Sequence, residues 1–151
     1  MTWQPHITVA TVVYQNDQLL MVWERSTTGQ PVMNQPAGHL EPGETLLQAA
    51  MRETLEETCW QVELEAILRL NLYTSPQNNI TYLRCNFLAR PVAALANAQR
   101  DPDIEAVVWL SAEQIKADRD NWRSPMVGQA VDDFLSAKRY PLSLLYHHLT
   151  A

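Results

Sequence analysis

The chain has 151 residues, a length that suits one folded domain. Hydrophobic residues make up 46% of it and charged residues 19%, which excludes an intrinsically disordered chain. The net charge of −6 argues against a nucleic acid polymer as a partner, because a phosphate backbone is bound by a basic surface. We therefore expect one domain over residues 1–151. If the substrate is anionic, we expect it to be a small molecule.

Neither a membrane span nor a secretion signal is predicted. The longest uncharged apolar runs are shorter than the roughly 20 residues that a transmembrane helix needs, and the first residues lack a basic start followed by an apolar block. Cys59 and Cys85 are far apart, which favours reduced, structural thiols over a disulfide or a zinc site. We expect a cytoplasmic protein without a membrane partner, and no obligate protein partner is indicated.

Residue patterns predict five strands. Residues 6–15 and 19–24 are rich in Val, Ile and Thr and are separated by the turn residues Asn16 and Asp17, a combination typical of a β-hairpin. Three further strand-like segments cover residues 63–74, 81–91 and 106–110.

The most clearly predicted helix covers residues 45–58. Its apolar side chains fall on one half of a helical wheel, and Thr45 with Gln48 forms a capping-box pattern at its start. A short helix is expected to open after Ser111, and a longer one covers residues 125–138. Strands mixed with helices in this way predict a compact α/β or α+β domain.

Three glutamates on the first helix, Glu53, Glu56 and Glu57, are the most informative residues. At about 100° per residue their side chains fall within one arc beside the apolar stripe. Like charges at this spacing repel each other, so a cation is expected among them. A hard divalent ion such as Mg²⁺ binds carboxylate oxygens and leaves positions for substrate phosphates. The alternative is a solvated helix face that binds nothing.

The spacing around these glutamates resembles the signature of the Nudix hydrolases, G-x5-E-x7-R-E-U-x-E-E-x-G-U, where U is a bulky aliphatic residue. The matching residues are Gly38, Glu44, Arg52, Glu53, Glu56 and Glu57. Two positions depart from the signature, since Thr54 replaces an aliphatic residue and Cys59 replaces the second glycine. The Thr54 hydroxyl can bond back to the preceding turn. Cys59 either changes the helix cap or accepts a strained left-handed conformation.

The resemblance implies the Nudix fold, a mixed β-sheet sandwiched between α-helices, and a metal-dependent hydrolase. It implies Mg²⁺ as the cofactor, with Mn²⁺ as an alternative, and as metal ligands Gly38, Glu53, Glu56 and Glu57. Arg52 and Glu44 are implied as an ion pair that holds the loop against the helix. The general base is left open among Glu53, Glu57 and Glu105, an acid outside the signature that can equally be an ordinary exposed residue at a strand end.

Three further segments resemble a phosphatase subgroup of the same family, namely residues 34–41, 123–125 and 139–142. This likeness implies hydrolysis of nucleoside tri- and diphosphates, and of hydroxymethylpyrimidine pyrophosphate, with release of phosphate. Two alternatives stay open: cleavage of ADP-ribose or dinucleoside polyphosphates, and a Nudix nucleotide-binding sensor without turnover. The signature cannot separate these activities, because specificity in a shared fold depends on residues outside the common motif.

Several polar and aromatic residues outside the signature are candidates for contacts with a small phosphorylated substrate. The cations Arg25 and Arg84 can bind phosphate, and each can equally be part of a surface ion pair. Tyr73, Tyr82 and Trp3 can stack on a base, although aromatic residues in strands more often pack in a core. The candidate substrate-binding set is Arg25, Asn34, His39, Tyr73, Tyr82 and Arg84.

Overall fold

The computed structural model describes residues 2–148, which form seven strands, three α-helices and two short 3₁₀ helices. The strands are β1 (His6–Gln15), β2 (Gln18–Arg25), β3 (Pro31–Asn34), β4 (Ala37–His39), β5 (Trp60–Thr74), β6 (Thr81–Ala94) and β7 (Ile104–Leu110). The helices are α1 (Leu46–Thr58), α2 (Ala112–Ala117) and α3 (Met126–Leu135), with 3₁₀ turns at Arg119–Asn121 and Leu142–Leu144.

The strands form one mixed sheet with β1 in its centre. The order is β3-β2-β1-β6-β5, with β4 paired to β1 and β7 paired to β2. Strands β1 and β6 run parallel, and every other described pair of strands is antiparallel. The predicted hairpin is confirmed, and its turn residues Asn16 and Asp17 both have positive φ, as a tight two-residue turn requires.

Two hydrophobic clusters pack helices against the sheet. Ala49 and Ala50 of α1 pack with Val9 and Phe87, whereas Val127 of α3 belongs to a separate cluster. That second cluster contains the strand residues Val12 and Leu88 and the helix residues Ile115, Val127, Ala130 and Val131. The predicted fold class, a mixed sheet sandwiched between helices, is therefore confirmed.

Helix α1 begins and ends as its sequence indicates. The Thr45 side chain accepts a hydrogen bond from the Gln48 backbone N–H, and the Gln48 side chain accepts one from the Thr45 backbone N–H, so the capping box is complete. The Thr54 hydroxyl donates to the Ala50 carbonyl at 2.7 Å. Of the two geometries expected at Cys59, the left-handed one is present, with φ of 61°.

The two short strands β3 and β4 were not predicted. They have four and three residues, too few to show a period of two in the sequence. The predicted end of α3 at residue 138 is wrong, because the helix ends at Leu135 and Ala137 has a positive φ that stops it. Among residues 2–148 no helix is long and apolar enough to cross a membrane.

Candidate active site

The C-terminal half of α1 lies against β4, and this contact positions two of the signature glutamates. Glu57 is only 6% exposed and accepts a hydrogen bond from the Ala37 backbone N–H at 2.9 Å. The Glu53 carboxyl group covers Gly38 so closely that a Cβ atom at position 38 would lie 2.1 Å from Glu53 Cδ. Gly38 is therefore required here by close packing, because its backbone φ is not in the left-handed region.

The guanidinium of Arg52 supplies the positive charge within this cluster. It donates to both carboxylate oxygens of Glu44, at 2.9 and 2.7 Å, and this two-point contact joins the loop to the helix. The same side chain donates to Glu53 at 2.8 Å and to Glu56 at 3.2 Å. A further bond to the His39 carbonyl, at 3.0 Å, fixes the start of the loop.

The surroundings shift the pKa values of the signature glutamates in opposite directions. The hydrogen bond from Arg52 lowers the pKa of Glu44. Burial raises the pKa of Glu53, and it raises the pKa of Glu57 to about 9. Glu57 forms no ion pair with a basic side chain of residues 2–148, and the hydrogen bond from the Ala37 N–H only partly offsets its desolvation.

The donor types of the cluster suit a hard divalent ion, although the ligands are not gathered around one point. No group of three His, Cys, Asp or Glu side chains within residues 2–148 is arranged to hold a metal ion. Arg52 occupies oxygens of Glu53 and Glu56, while the carboxyl group of buried Glu57 forms no ion pair within residues 2–148. A buried carboxyl group keeps its negative charge only with a positive partner, and oxygen donors are those that Mg²⁺ prefers.

A cavity of about 500 Å³ opens beside the glutamates, with Ala37, Gly38 and His39 of β4 in its wall. This volume lies in the range of about 300 to 1,000 Å³ that is typical of small-molecule sites. Five of the six predicted substrate contacts line it: Asn34, His39, Tyr73, Tyr82 and Arg84. His39 and His6 lie in ring contact, with Nδ1 of His6 3.1 Å from Nε2 of His39, and burial lowers the pKa of His39.

The structure separates three other predicted residues from this cavity. Arg25 and Glu105 do not line it and instead pair with each other, with Arg25 Nε 2.5 Å from Glu105 Oε1. The environment of Glu105 is that of an exposed strand-end acid engaged by a surface arginine. Trp3 is 70% exposed and is not among the residues that line the cavity.

The lining residues that were not among the predicted contacts include Glu24, Trp122 and Arg123. The Glu24 carboxylate accepts from the Asn34 side chain at 3.2 Å and pairs with Arg123 at 3.1 Å. Adjacent residues of a strand point to opposite faces. The sequence prediction chose Arg25, but the cavity is lined by the preceding residue, Glu24. Arg123 lies in a segment that already resembled the phosphatase subgroup, and that was its only sequence signal.

The comparisons with known proteins agree with this geometry. The family profile described as the NUDIX domain matches residues 4–129. The chain belongs to the Nudix family, and it is a hydrolase that acts on phosphoanhydride bonds in small phosphorylated substrates. Members of this family generally use divalent metal ions.

Among its relatives, the chain is 37% identical to "Phosphatase NudJ" of Escherichia coli strain K12 over 142 residues, which is 94% of this chain and 91% of that protein. A solved NUDIX hydrolase from Nitrosomonas europaea has a TM-score of 0.93 and 38% identity, and the match covers 96% of this chain and 98% of that one. A Caenorhabditis elegans Ap4A hydrolase shares the fold, with a TM-score of 0.67 and 18% identity over 87% of this chain and 96% of that chain. The chain is thus a NudJ-like member of the family.

Proposed function

We propose that this Nudix hydrolase is an Mg²⁺-dependent phosphatase of nucleoside tri- and diphosphates and of related small pyrophosphates such as hydroxymethylpyrimidine pyrophosphate. The observation that carries the proposal is that the glutamate cluster adjoins the cavity through Gly38, because Gly38 lines the cavity and the Glu53 carboxyl group covers it. The 37% identity to "Phosphatase NudJ" favours phosphate as the released product.

The signature residues would hold the metal. Glu53, Glu56 and Glu57 offer carboxylate oxygens, and Gly38 offers its carbonyl. When bound, Mg²⁺ supplies charge neutralisation for the phosphates and activation of the attacking water. Arg52 has to release Glu53 and Glu56 for the metal to bind there, because the guanidinium and the metal ion are both positively charged. Its two bonds to Glu44 can persist.

Proton transfer is assigned to Glu53. Its Oε2 atom accepts no hydrogen bond from residues 2–148, so one oxygen is free to accept a proton while Oε1, bonded to Arg52 at 2.8 Å, would be released for the metal. The contact of this carboxyl group with Gly38, which lines the cavity, supports Glu53 as the proton acceptor for a water molecule bound there. Of the other two candidates, Glu57 is bonded to Ala37 and Glu105 is bonded to Arg25.

A phosphate-release assay tests the proposal. The purified protein is incubated with Mg²⁺ and, in separate reactions, nucleoside di- and triphosphates, hydroxymethylpyrimidine pyrophosphate, ADP-ribose and a dinucleoside polyphosphate. We expect phosphate release from the first three classes and none in excess chelator. Preferred cleavage of ADP-ribose or the dinucleoside compound, or full activity in chelator, contradicts the proposal.

The position of bond cleavage is tested with a nucleoside triphosphate in ¹⁸O-labelled water. Attack at the terminal phosphorus places the label in free phosphate, and the nucleoside diphosphate accumulates first. Pyrophosphate as the first product would overturn the phosphatase assignment and leave the Nudix assignment unaffected.

A further inference from the structure

Arg84 is a buried cation in the wall of the cavity. It lies on β6, is only 4% exposed, and is bonded to three side-chain amide oxygens. These acceptors are Asn86 at 2.9 Å, Gln35 at 2.9 Å and Asn34 at 3.4 Å. All three are neutral, so the guanidinium has no direct counter-ion among residues 2–148.

The nearest acids do not supply that counter-ion. Glu24 and Glu57 lie close enough to favour the charged form of Arg84, yet neither forms an ion pair with it. The Glu24 carboxylate is instead bonded to Asn34 and paired with Arg123. Burial lowers the pKa of Arg84 to about 10, so the side chain still carries its charge at neutral pH.

The surroundings of the Arg84 guanidinium contain more hydrogen-bond donors than acceptors. An arginine side chain has five N–H groups, and the three bonds of Arg84 leave two of them without an acceptor in residues 2–148. The Asn86 Nδ2 atom is also buried without a partner there. Its amide cannot be reversed, because Asn86 Oδ1 has to face the N–H of Arg84 Nε.

We propose that Arg84 is a metal-independent anchor for one phosphate group of the substrate. This inference rests on the proposed function, since it assigns a second contact on the phosphate chain beside the glutamate cluster. A buried guanidinium without a counter-ion is unfavourable, and a phosphate that accepts two hydrogen bonds would supply both the charge and the missing acceptors. If Arg84 served only to link β6 to residues 34–35, hydrogen-bond donors would be enough and no charge would be needed.

The anchor predicts a preference for substrates with at least two phosphates. One phosphate is held at Arg84 while another meets the glutamate cluster, so a monophosphate can occupy only one of the two places. A phosphate chain held at both ends is also aligned for attack, and alignment is a large part of phosphoryl-transfer catalysis.

Binding in the absence of metal tests the anchor without requiring hydrolysis. Inorganic phosphate and pyrophosphate are titrated calorimetrically into the wild-type protein, Arg84→Gln and Arg84→Lys, all in excess EDTA. Arg90→Gln is the matched control, because Arg90 is also on β6 but pairs with Glu63 on the surface. We expect at least a tenfold weaker affinity in Arg84→Gln, a smaller loss in Arg84→Lys, and wild-type affinity in Arg90→Gln.

A measurement on the wild-type protein keeps the inference testable if Arg84→Gln does not fold. Phosphate added in EDTA should shift the side-chain NMR resonances of Arg84, whereas a nucleoside without phosphate should not. Unchanged phosphate affinity in Arg84→Gln, resonances that do not respond, or a response to the nucleoside alone would overturn the anchor. Hydrolysis with Mg²⁺ is measured separately. If phosphate binds in EDTA in an Arg84-dependent way but no substrate is hydrolysed, only the proposed function is refuted. If substrates are hydrolysed but phosphate binding does not depend on Arg84, only the anchor is refuted.

Discussion

Replacement of Gly38 by alanine is predicted to disable the site while the fold survives. The new Cβ would lie 2.1 Å from Glu53 Cδ and 2.3 and 2.4 Å from its two carboxylate oxygens. Carbon atoms in van der Waals contact are about 3.5 to 4.0 Å apart, so the Glu53 carboxyl group has to move by at least about 1 Å. The stability cost should be small, because the atoms in contact are the end of a flexible side chain, whereas a 1 Å misplacement can lower a rate by about 10²-fold.

The measurement is kcat for the best substrate across an Mg²⁺ titration, together with thermal unfolding of the same samples. Gly43→Ala is the control, since Gly43 has φ of 81° and no atom lies within 4 Å of its added Cβ. That variant carries backbone strain of about 1 kcal/mol without touching a glutamate. Activity of Gly38→Ala within about threefold of wild type would refute the reasoning, because the contact would then impose no displacement on the catalytic group.

Four further changes have defined outcomes. Glu57→Gln should lower kcat at least about 10²-fold with the fold retained, and normal turnover would remove Glu57 from the site. Gly128→Ala should destabilise the protein by about 1 to 3 kcal/mol and raise KM, because its Cβ would lie 2.1 Å from the ring of Trp122, a cavity residue; an unchanged KM would show that this ring does not contact the substrate. Cys59→Gly should leave kcat unchanged and raise the free energy of unfolding by up to about 1 kcal/mol, since φ at this position is 61°; coupled loss of rate and metal affinity would contradict a structural role. Burial raises the pKa of Cys85 from 9.0 to about 11, so the folded state favours the thiol, and the stability that this contributes is complete below pH 9 and is lost as the pH rises to about 11. Over this pH range the free energy of unfolding of the wild type, measured with denaturant, should fall by up to about 3 kcal/mol more than that of Cys85→Ala. Parallel curves for the two proteins would contradict this.

Local sequence determined the main elements and the signature cluster. The helix that bears the glutamates follows from its capping box and its apolar stripe, and both are interactions among residues three or four positions apart. The shared arc of Glu53, Glu56 and Glu57 follows from helical periodicity alone. The back-bond of the Thr54 hydroxyl was predictable for the same reason, since its acceptor lies one turn earlier.

Contacts between distant residues depended on the tertiary structure. Strand β4 has only three residues and exists because β1 pairs with it, yet it buries Glu57 and provides the contact on Glu53. The partners of Arg84 in residues 34–35 are about fifty positions away, and the pairing of Arg25 with Glu105 joins β2 to β7.

Residue type therefore indicated which side chains could bind phosphate or metal, but not which of them share a cavity. Chain separation carries no information about distance once strands pair across the sheet, and the register of that pairing decides which face each side chain occupies. Arg84 lines the cavity with buried neutral partners, whereas Arg25 meets an acid on the surface. Only the packed sheet distinguishes these two arginines, because burial and the loss of a counter-ion are properties of the folded chain.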